Sequence, residues 1–552
     1  MKNLSNILIK DLMNKGVTTY FGVQGGACAR LIQAVIDEGG IYHPVLNEQA
    51  AGYYAHGYYM ANKTPAGLIF TTGPGLSNGI AGMASCYYDR VPIVTLVGQV
   101  KKSLNIAKKT KTRMVGFQEL PHLDLASPIT DGNFKIDSGK TYLSKRSKIL
   151  ENLDRQKAII IEILDDAQRD RLKIKNNIKS EKEIIRTFNS GLYKKINEIY
   201  ENSNKIIFLL GAGSVTSNKN NSNISLIKKY NHLIATTWGG QQLQKDLKEN
   251  YLGTFGEHNP GIANEHIKQA DLIVALGCSL LQHQVGKNQN DFAPNAKILY
   301  VNNDIQECKR ATFQFGERLI PINSTVNNFL KKVLKSNIKN KNIKEKKLFE
   351  LNKTNYELQK KDLTPVKTLS KIFSSLKKNN SIIFSDAGAT LSWTYQSANL
   401  VKNCPPIFTS LNLHAMGYAN CAAVGAAVKS KKNIYVIIGD GSFPMNIQEL
   451  SWCNKFIIKF IIIDNGGYGI IRQTQTDFYN SIYLGSDFKN SKSKLPNFSI
   501  NKMLFSYNIS FKSIQSEKIN KKNINWLINN KKSSALILKT NYAARVQVAN
   551  EQ

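Results

Sequence analysis

Apolar residues in this chain come in short runs, and the runs recur between segments of helical period. From residue 1 to about 166, "TTYFGV", "AGLIFTT", "VPIVTLVG" and "AIIIEIL" read as strands. The opening stretch "MKNLSNILIKDLMNKG" is amphipathic and predicts a first helix. Residues 167–190 turn polar and charged, which predicts a linker. The pattern resumes over 191–335 with "KIIFLLGAG", "LIVALG" and "KILYVN", lapses in a Lys/Asn-rich stretch over 336–362, and returns over 363–545 with "SIIFSDAG", "IYVIIGD", "FIIKFIIID" and "SALILKT". Apolar strands alternating with helical segments and Gly-rich turns predict an α/β chain. The expected architecture is three consecutive doubly wound parallel-sheet domains, over 1–166, 191–335 and 363–545. In open α/β sheets ligands bind beyond the carboxyl ends of the strands.

Two strands end unusually. "IYVIIGD" runs into Asp440, and "FIIKFIIID" runs into Asp464 and Asn465. As neighbours in a parallel sheet they would set Asp440 and Asn465 side by side. A hard cation such as Mg²⁺ takes oxygen ligands in octahedral geometry and shares them with a phosphate. Asp440, the Asn465 amide oxygen and a loop carbonyl would supply half such a shell. Gly439, Gly441, Gly466 and Gly467 would let the backbone approach the ligand. A helix expected at "PMNIQEL", with Ser442 near its first turn, would add free N–H groups for phosphate. Two ordinary Asx turns are the competing explanation, and only the pairing of the two strand ends tells against it.

Composition changes this picture little. The chain has 552 residues, 42% of them hydrophobic, and no apolar run approaches the ~18 residues of a membrane span. The first residues do not read as a signal peptide. Cys28, Cys86, Cys278, Cys308, Cys404, Cys421 and Cys453 form no CxxC pair and sit in apolar surroundings, which points to reduced thiols in the cytoplasm. The net charge of +34 comes with a general excess of Lys, Asn and Ile, as codon bias produces. No arginine cluster interleaves with aromatics, so neither nucleic acid nor membrane is an expected partner.

Taken together, these segments resemble a known family. "GDG" followed, after twenty-two intervening residues, by Asp464-Asn465 is similar to the thiamine-diphosphate motif, with Asp464 in place of its first Asn. The whole chain resembles the large subunit of acetolactate synthase, in the order pyrimidine-binding, central and diphosphate-binding domain. The resemblance implies thiamine diphosphate as cofactor and Mg²⁺ held by Asp440, Asn465 and the Gly467 carbonyl. It implies that Gly439, Gly441, Ser442, Tyr468, Gly469 and Ile470 line the cofactor around that metal. Glu48, in "HPVLNEQAAGYYAHGYY", corresponds to the family's glutamate against N1′ of the aminopyrimidine, where it takes part in the proton transfer that activates C2. "TTGPGLSNGIAGMASCYYDRVPIVTLVGQV" carries the family pattern at Gly73, Pro74, Gly75, Asn78, Asp89, Pro92 and Gln99, with Pro74 and Asn78 on the cofactor. "GFQE" brings Gln118 to the substrate. "GVQGGA" brings Gly26 near the reacting carbon and Gln24 to the pocket, where the family often has Pro. In "LNLHAMGYANCAAVGAA", Met416 would wedge the cofactor into its bent shape and the His414 carbonyl would accept from its amino group. "SDAGATLSW" would hold the diphosphate through Gly388, Ala389 and Thr390.

Departures narrow the expectation. The arginines with which acetolactate synthases hold FAD are missing from "CSLLQHQ" (278–284) and "GAGSV" (211–215), which leaves FAD without support. Thr474 stands where acetolactate synthases commonly have the tryptophan that selects the acceptor, and with Ile470 it would line a roomier acceptor pocket. The "RQTQ…F" run resembles acetolactate-synthase-like proteins linked to polysaccharide and branched-sugar biosynthesis. The expected activity is decarboxylation of a 2-oxo acid, pyruvate first among them, with transfer to an aldehyde or ketone acceptor. The alternatives are acetolactate synthase itself, a decarboxylase releasing an aldehyde, and a non-catalytic regulatory homologue. The resemblance further implies a homodimer or homotetramer with active sites at the subunit interface.

Overall fold

The computed structural model describes residues 2–548, apart from 174–189, 216–221, 231, 248–249, 333–347, 359–361, 363, 378–379, 490–492 and 497. Eighteen strands form three six-stranded parallel sheets. In the N-terminal domain they are β1 Thr19–Gly22, β2 Ile41–Pro44, β3 Ala66–Phe70, β4 Ile93–Gln99, β5 Gly132–Ile136 and β6 Ile159–Leu164, in the order β2-β1-β3-β4-β6-β5. The central domain has β7 Ile206–Leu210, β8 Leu233–Thr236, β9 Tyr251–Thr254, β10 Leu272–Leu276, β11 Lys297–Asn302 and β12 Leu319–Asn323, in the order β9-β8-β7-β10-β11-β12. The C-terminal domain has β13 Ser381–Ser385, β14 Ile407–Phe408, β15 Asn433–Gly439, β16 Ile458–Asp464, β17 Ser510–Gln515 and β18 Ser534–Lys539, in the order β14-β13-β15-β16-β18-β17. The first and third sheets therefore share one winding. Each sheet has apolar clusters on both faces, as double winding requires.

The N- and C-terminal domains share a core. Helix α1 (Glu48–Asn62) packs against α2 (Pro74–Tyr88) and, across the domain boundary, against α4 (Tyr418–Ala427); α3 (Ala389–Asn399) lies between α2 and α4 in sequence. The α1–α4 approach is close because both helices present glycine. A Cβ on Gly57 would stand 2.0 Å from the Ala422 carbonyl oxygen, and one on Gly425 2.1 Å from that of Tyr54. Hydrogen bonds fix the register: Tyr54 OH and Leu46 N both donate to the buried Glu449 carboxylate, at 2.6 and 2.9 Å. Burial raises the Glu449 carboxyl above its ordinary range.

Two expectations about linkers need correction. Residues 167–172 belong to the N-terminal domain: Gln168 is buried with its amide on the Ala27 carbonyl, and Arg171–Leu172 pairs antiparallel with Lys2–Asn3. Within 336–362, residues 348–358 form a helix (Leu348–Leu358) whose Asn352 and Tyr356 lock onto Leu252, Ile262 and Asn259. Leu348 and Tyr356 are buried along this helix, and Asn352 and Tyr356 add polar contacts to the fit. The remainder of both stretches lies largely outside the described residues.

Candidate active site

β15 and β16 are adjacent and parallel, with Gly439 opposite Ile463, so Asp440 and Asn465 emerge side by side from the sheet. Asp440 is buried. Its carboxylate accepts from Gly441 N (2.8 Å), Gly466 N (2.7 Å) and Gly467 N (3.0 Å). Gly466 and Gly467 turn those N–H groups inward at φ of +81° and +125°, a region glycine adopts without strain. The Asn465 amide presents one of its terminal atoms 3.0 Å from the Gly467 carbonyl oxygen and 3.3 Å from Asp440 Oδ1. With the amide oxygen there, three acceptors converge with no donor among them; turned over, the amide would donate to both. The first arrangement suits a hard cation, since adjacent oxygens of an octahedral Mg²⁺ shell lie ~2.9 Å apart. Burial, then the charge of Asp464, raise the Asp440 carboxyl well above its ordinary range, a cost that a cation would reverse. Among the described residues no three His, Cys, Asp or Glu side chains group as metal ligands, so a mixed oxygen set is what this chain offers.

Around this loop the structure assembles most of the other C-terminal residues singled out by sequence. Gly388 (φ +83°) caps α3 at the carboxyl end of β13, and a Cβ there would meet only Ile470, at 3.9 Å, so space is open above the helix start. Ala389 and Thr390 form its first turn, and Gly439 faces the Thr390 hydroxyl. The loops after β13 and β15 are those that the sheet's change of winding direction holds apart, the expected ligand cleft. Met416 and His414 sit in the turn before α4, and Tyr468, Gly469 and Ile470 continue the loop after β16 into helix α5 (Gly469–Phe478). The Tyr468 ring covers Gly441.

The helix expected at "PMNIQEL" is instead a 3₁₀ segment, Ile447–Asn454, entered through Asn446 at φ +58°. Its bonds run i→i+3, as from Glu449 N to the Asn446 carbonyl, and its Glu449 side chain is bound by Leu46 N and Tyr54 OH, so no long helix dipole points at the site. Ser442 hydrogen-bonds the buried Asp386.

The N-terminal candidates form a separate group. Asn47 caps α1, accepting from Gln49 N at 2.9 Å, and so places Glu48 in the first turn. Glu48 Oε2 accepts from Asn78 Nδ2 at 3.2 Å, and Asn78 stands in α2, which Pro74 begins. Gln118 has a left-handed backbone (φ +61°), and next to it Phe117 is 81% exposed. Gln24 and Gly26 lie exposed in the loop after β1. Among the described residues no hydrogen bond or ion pair joins Glu48, Asn78 or Gln118 to the loops at 386–390, 414–416, 439–442 or 465–470.

Ile470 and Thr474 line a cavity of about 560 Å³ between α5 and the central domain, where His258, Gln284 and Phe292 form part of the opposite wall. Thr474 is exposed, and its hydroxyl donates to the Ile470 carbonyl at 3.1 Å. In the central domain the strand order reverses between β7 and β10. There the "GAG" turn closes on the next one, with Gly213 N donating to the Gly277 carbonyl at 3.1 Å. Arg310, from elsewhere in the chain, donates to the Ser279 carbonyl within "CSLLQHQ".

Three family profiles match in the same order as the sheets. "Thiamine pyrophosphate enzyme, N-terminal TPP binding domain" covers residues 2–120, the central domain of that family 193–333, and its C-terminal TPP binding domain 386–538. The chain belongs to the thiamine pyrophosphate enzyme family. Its relatives include the probable acetolactate synthase large subunit of Methanocaldococcus jannaschii, 28% identical over 87% of this chain and 83% of that one. The acetolactate synthase large subunit of Lactococcus lactis is 28% identical over 86% and 83%, and the chloroplastic acetolactate synthase 2 of Nicotiana tabacum 27% identical over 87% and 74%. This chain is thus a thiamine-diphosphate-dependent, acetolactate synthase-like enzyme. Among its described residues no helix is long and apolar enough to cross a membrane.

In this thiamine pyrophosphate enzyme two positioning residues escaped the sequence reading. Asp386 accepts from Ala387 N, Gly417 N and Ala419 N at 2.9–3.1 Å, tying the loop at the start of α3 to the Met416 turn. Burial pushes its carboxyl up to about 6. Arg472 is buried and donates to the carbonyls of Asn465 (2.6 Å), Gly466 (2.9 Å) and Tyr542 (3.2 Å), clamping the loop after β16 to the C-terminal segment. An acid directly after an apolar strand and two residues before Gly388 was the available signal for Asp386; "IIRQ" gave none for Arg472.

Proposed function

We propose that the enzyme decarboxylates a small 2-oxo acid, pyruvate first among them, and passes the two-carbon unit to an aldehyde or ketone acceptor. The observation that carries the reading is the convergence of Asp440, Asn465 and the Gly467 carbonyl on one point beside the open start of α3. This donor set fits Mg²⁺ and a diphosphate. Thiamine diphosphate, when bound, supplies a carbon nucleophile and a sink for the electron pair left by carbon dioxide. Asp440, Asn465 and Gly467 would hold the metal, and Gly388, Ala389 and Thr390 the phosphate oxygens through the helix N-terminus. Met416 and the His414 carbonyl would hold the ring system. Glu48 would hold and return a proton at N1′ of the pyrimidine, oriented by Asn78. Gln118, Gln24 and Gly26 would meet the substrate, with Thr474 and Ile470 on the acceptor side. No redox step is needed, and a flavin forms no part of the reading.

Glu48 and the metal loop are not joined within the chain, which favours a homodimer or a larger homo-oligomer with each site shared between subunits. The seven cysteines are all free and buried, in keeping with a cytoplasmic enzyme.

A second reading is acetolactate synthase, in which the acceptor is itself a 2-oxo acid. The names of the relatives favour it; Thr474 on an open cavity favours a larger acceptor. The test is to titrate the protein with thiamine diphosphate with and without Mg²⁺, then incubate it with pyruvate and a panel of aldehydes and ketones and weigh the products. Mg²⁺-dependent binding with a cross-ligation product is expected. Acetolactate as sole product would establish the second reading, and absence of Mg²⁺-dependent binding would overturn both.

A further inference from the structure

The N-terminal domain buries an acid and a histidine that the chemistry above does not use. Glu162, in β6, and His122 are both hidden from solvent, with Nδ1 of the ring 2.9 Å from Glu162 Oε2. The other ring nitrogen, Nε2, accepts from the backbone N–H of Gly73 at 3.1 Å. An N–H can only donate, so Nε2 is bare, the proton is on Nδ1, and it points at Glu162. Gln99 braces the pair: its Nε2 donates to Glu162 Oε2 (3.1 Å) and to the Leu120 carbonyl (2.9 Å). The Thr72 hydroxyl lies 3.0 Å from both Gln99 Oε1 and the Gln118 carbonyl, with one proton to share between them.

Two features place this assembly behind the active site. Gly73 is the cap of α2, with φ +69°, and a Cβ on it would stand 2.8 Å from the Gln118 carbonyl oxygen. The turn held by His122 is therefore in contact with Gln118 and also launches the helix whose Asn78 meets Glu48. Glu119, the next residue, accepts from Ala107, Val115 and Gly116 N, so the segment before Gln118 is fixed from the other side. Among the described residues the Thr72 hydroxyl bonds Gln118 directly, while Gln99 on Leu120 and His122 on Gly73 hold the segment that follows it to the sheet.

We propose that His122, oriented by Glu162, is a positioning residue: through the Thr72–Gly73 turn it sets the backbone of Gln118 and the start of the Asn78 helix together. The inference rests on the proposed roles of Gln118 and Glu48. The experiment compares His122→Leu, which keeps bulk and removes both nitrogens, with His122→Gln, whose Oε1 can accept from Gly73. Amide exchange over 71–78 and 116–120 is measured in purified protein before cofactor is added. Thiamine diphosphate affinity with Mg²⁺, and kcat and KM for pyruvate, are measured afterwards.

For His122→Leu we expect exchange in both segments to quicken by about 10-fold or more. Turnover should fall roughly 10–100-fold, as small misplacements of reacting groups do, with cofactor affinity within about 3-fold. His122→Gln should recover most of both. Unchanged protection in the two segments, or a lower Tm with kcat and KM unaltered, would overturn the proposal. A wild-type protein that turns over no 2-oxo acid would instead sink the proposed function, and the exchange data would still decide whether His122 holds Gln118.

Discussion

Glu48 stands in the first turn of α1 with one side-chain partner among the described residues, Asn78. A carboxylate whose task is to move a proton at a ring nitrogen needs that freedom; one whose task is structural does not. Glu48→Gln keeps the shape and the Asn78 contact and removes the titrating group. Turnover should drop by roughly 10²–10⁴-fold, while the affinity for thiamine diphosphate with Mg²⁺ stays within a few-fold, because the phosphate anchors lie elsewhere. Parallel measurement of kcat and cofactor binding checks this, and equal losses in both would mark the residue as structural. Asp386 and Arg472 show the opposite case: their partners are backbone groups up to seventy residues away. No local pattern could announce such distant partners.

At the scale of elements, the strands that the hydrophobic pattern missed are informative. β2, β5, β9, β12, β14 and β17 are all sheet edges, and with the interior β8 they are the ones the pattern left out. β17, Ser510–Gln515, is nowhere fully buried, whereas β16 is buried along nearly its whole length. An edge strand is hydrogen-bonded on one side only and needs no continuous apolar run. Helix contacts carry their own sharp test. Gly57→Ala places a methyl 2.0 Å from the Ala422 carbonyl oxygen, against backbone that has no rotamer to move. Overpacking of this kind costs about 1–3 kcal/mol, so the variant should melt several degrees lower and refold poorly. A Tm equal to wild type would show that α1 and α4 are not rigidly seated. Helix α5 offers a functional test. Thr474→Trp fills the cavity mouth next to Ile470. It should shift product from cross-ligation toward acetolactate by roughly 10-fold or more with pyruvate consumption little changed, as pocket contacts discriminate by ~1–3 kcal/mol. A fixed product ratio would remove Thr474 from acceptor choice.

At the scale of the whole molecule, the domains are joined on one face and divided on another. Asp89 of the N-terminal domain accepts from Leu411 N (2.7 Å) and Asn412 N (3.0 Å), and His56 from the same domain reaches Tyr418 at 2.7 Å. These contacts seat the turn that carries Met416, while Glu48 points elsewhere. Mixing Glu48→Gln with Asp440→Ala protein should therefore restore part of the activity that each lacks alone, since hybrid dimers contain one intact pair. No recovery after demonstrated subunit exchange would argue for sites built within single chains. Acid stability is a second global property. Burial lowers the imidazoles of His43, His232 and His283 to about 4, so each stays neutral in the fold where an unfolded chain, with a pKa near ~6.5, would be protonated. Their contribution is present above pH ~6.5 and is lost as pH falls toward 4. Tm measured across that range should decline, and His43→Gln should flatten part of the fall.

The sequence by itself determined the class of the fold, the succession of three α/β blocks and the strand ends that carry Asp440 and Asn465. Those follow from the period of apolar residues and from glycine, which are local properties of the chain. It also marked Glu48, Met416 and Thr474 as candidates, because short motifs hold such residues in fixed local frames. Only the tertiary structure decided how those frames meet. It turned the Asn465 amide toward Gly467 and Asp440, supplied Asp386 and Arg472 as anchors, and made Ile447–Asn454 a 3₁₀ segment with Glu449 bound to Leu46 and Tyr54. It also folded residues 167–172 and 348–358 into the domains, and it buried His122 and Glu162 behind Gln118. In most of these the deciding energy includes a hydrogen bond or a close approach between residues distant in the chain, such as Asp440 with Gly466, Arg472 with Tyr542 and His122 with Glu162, and periodicity along the sequence holds no record of such pairs.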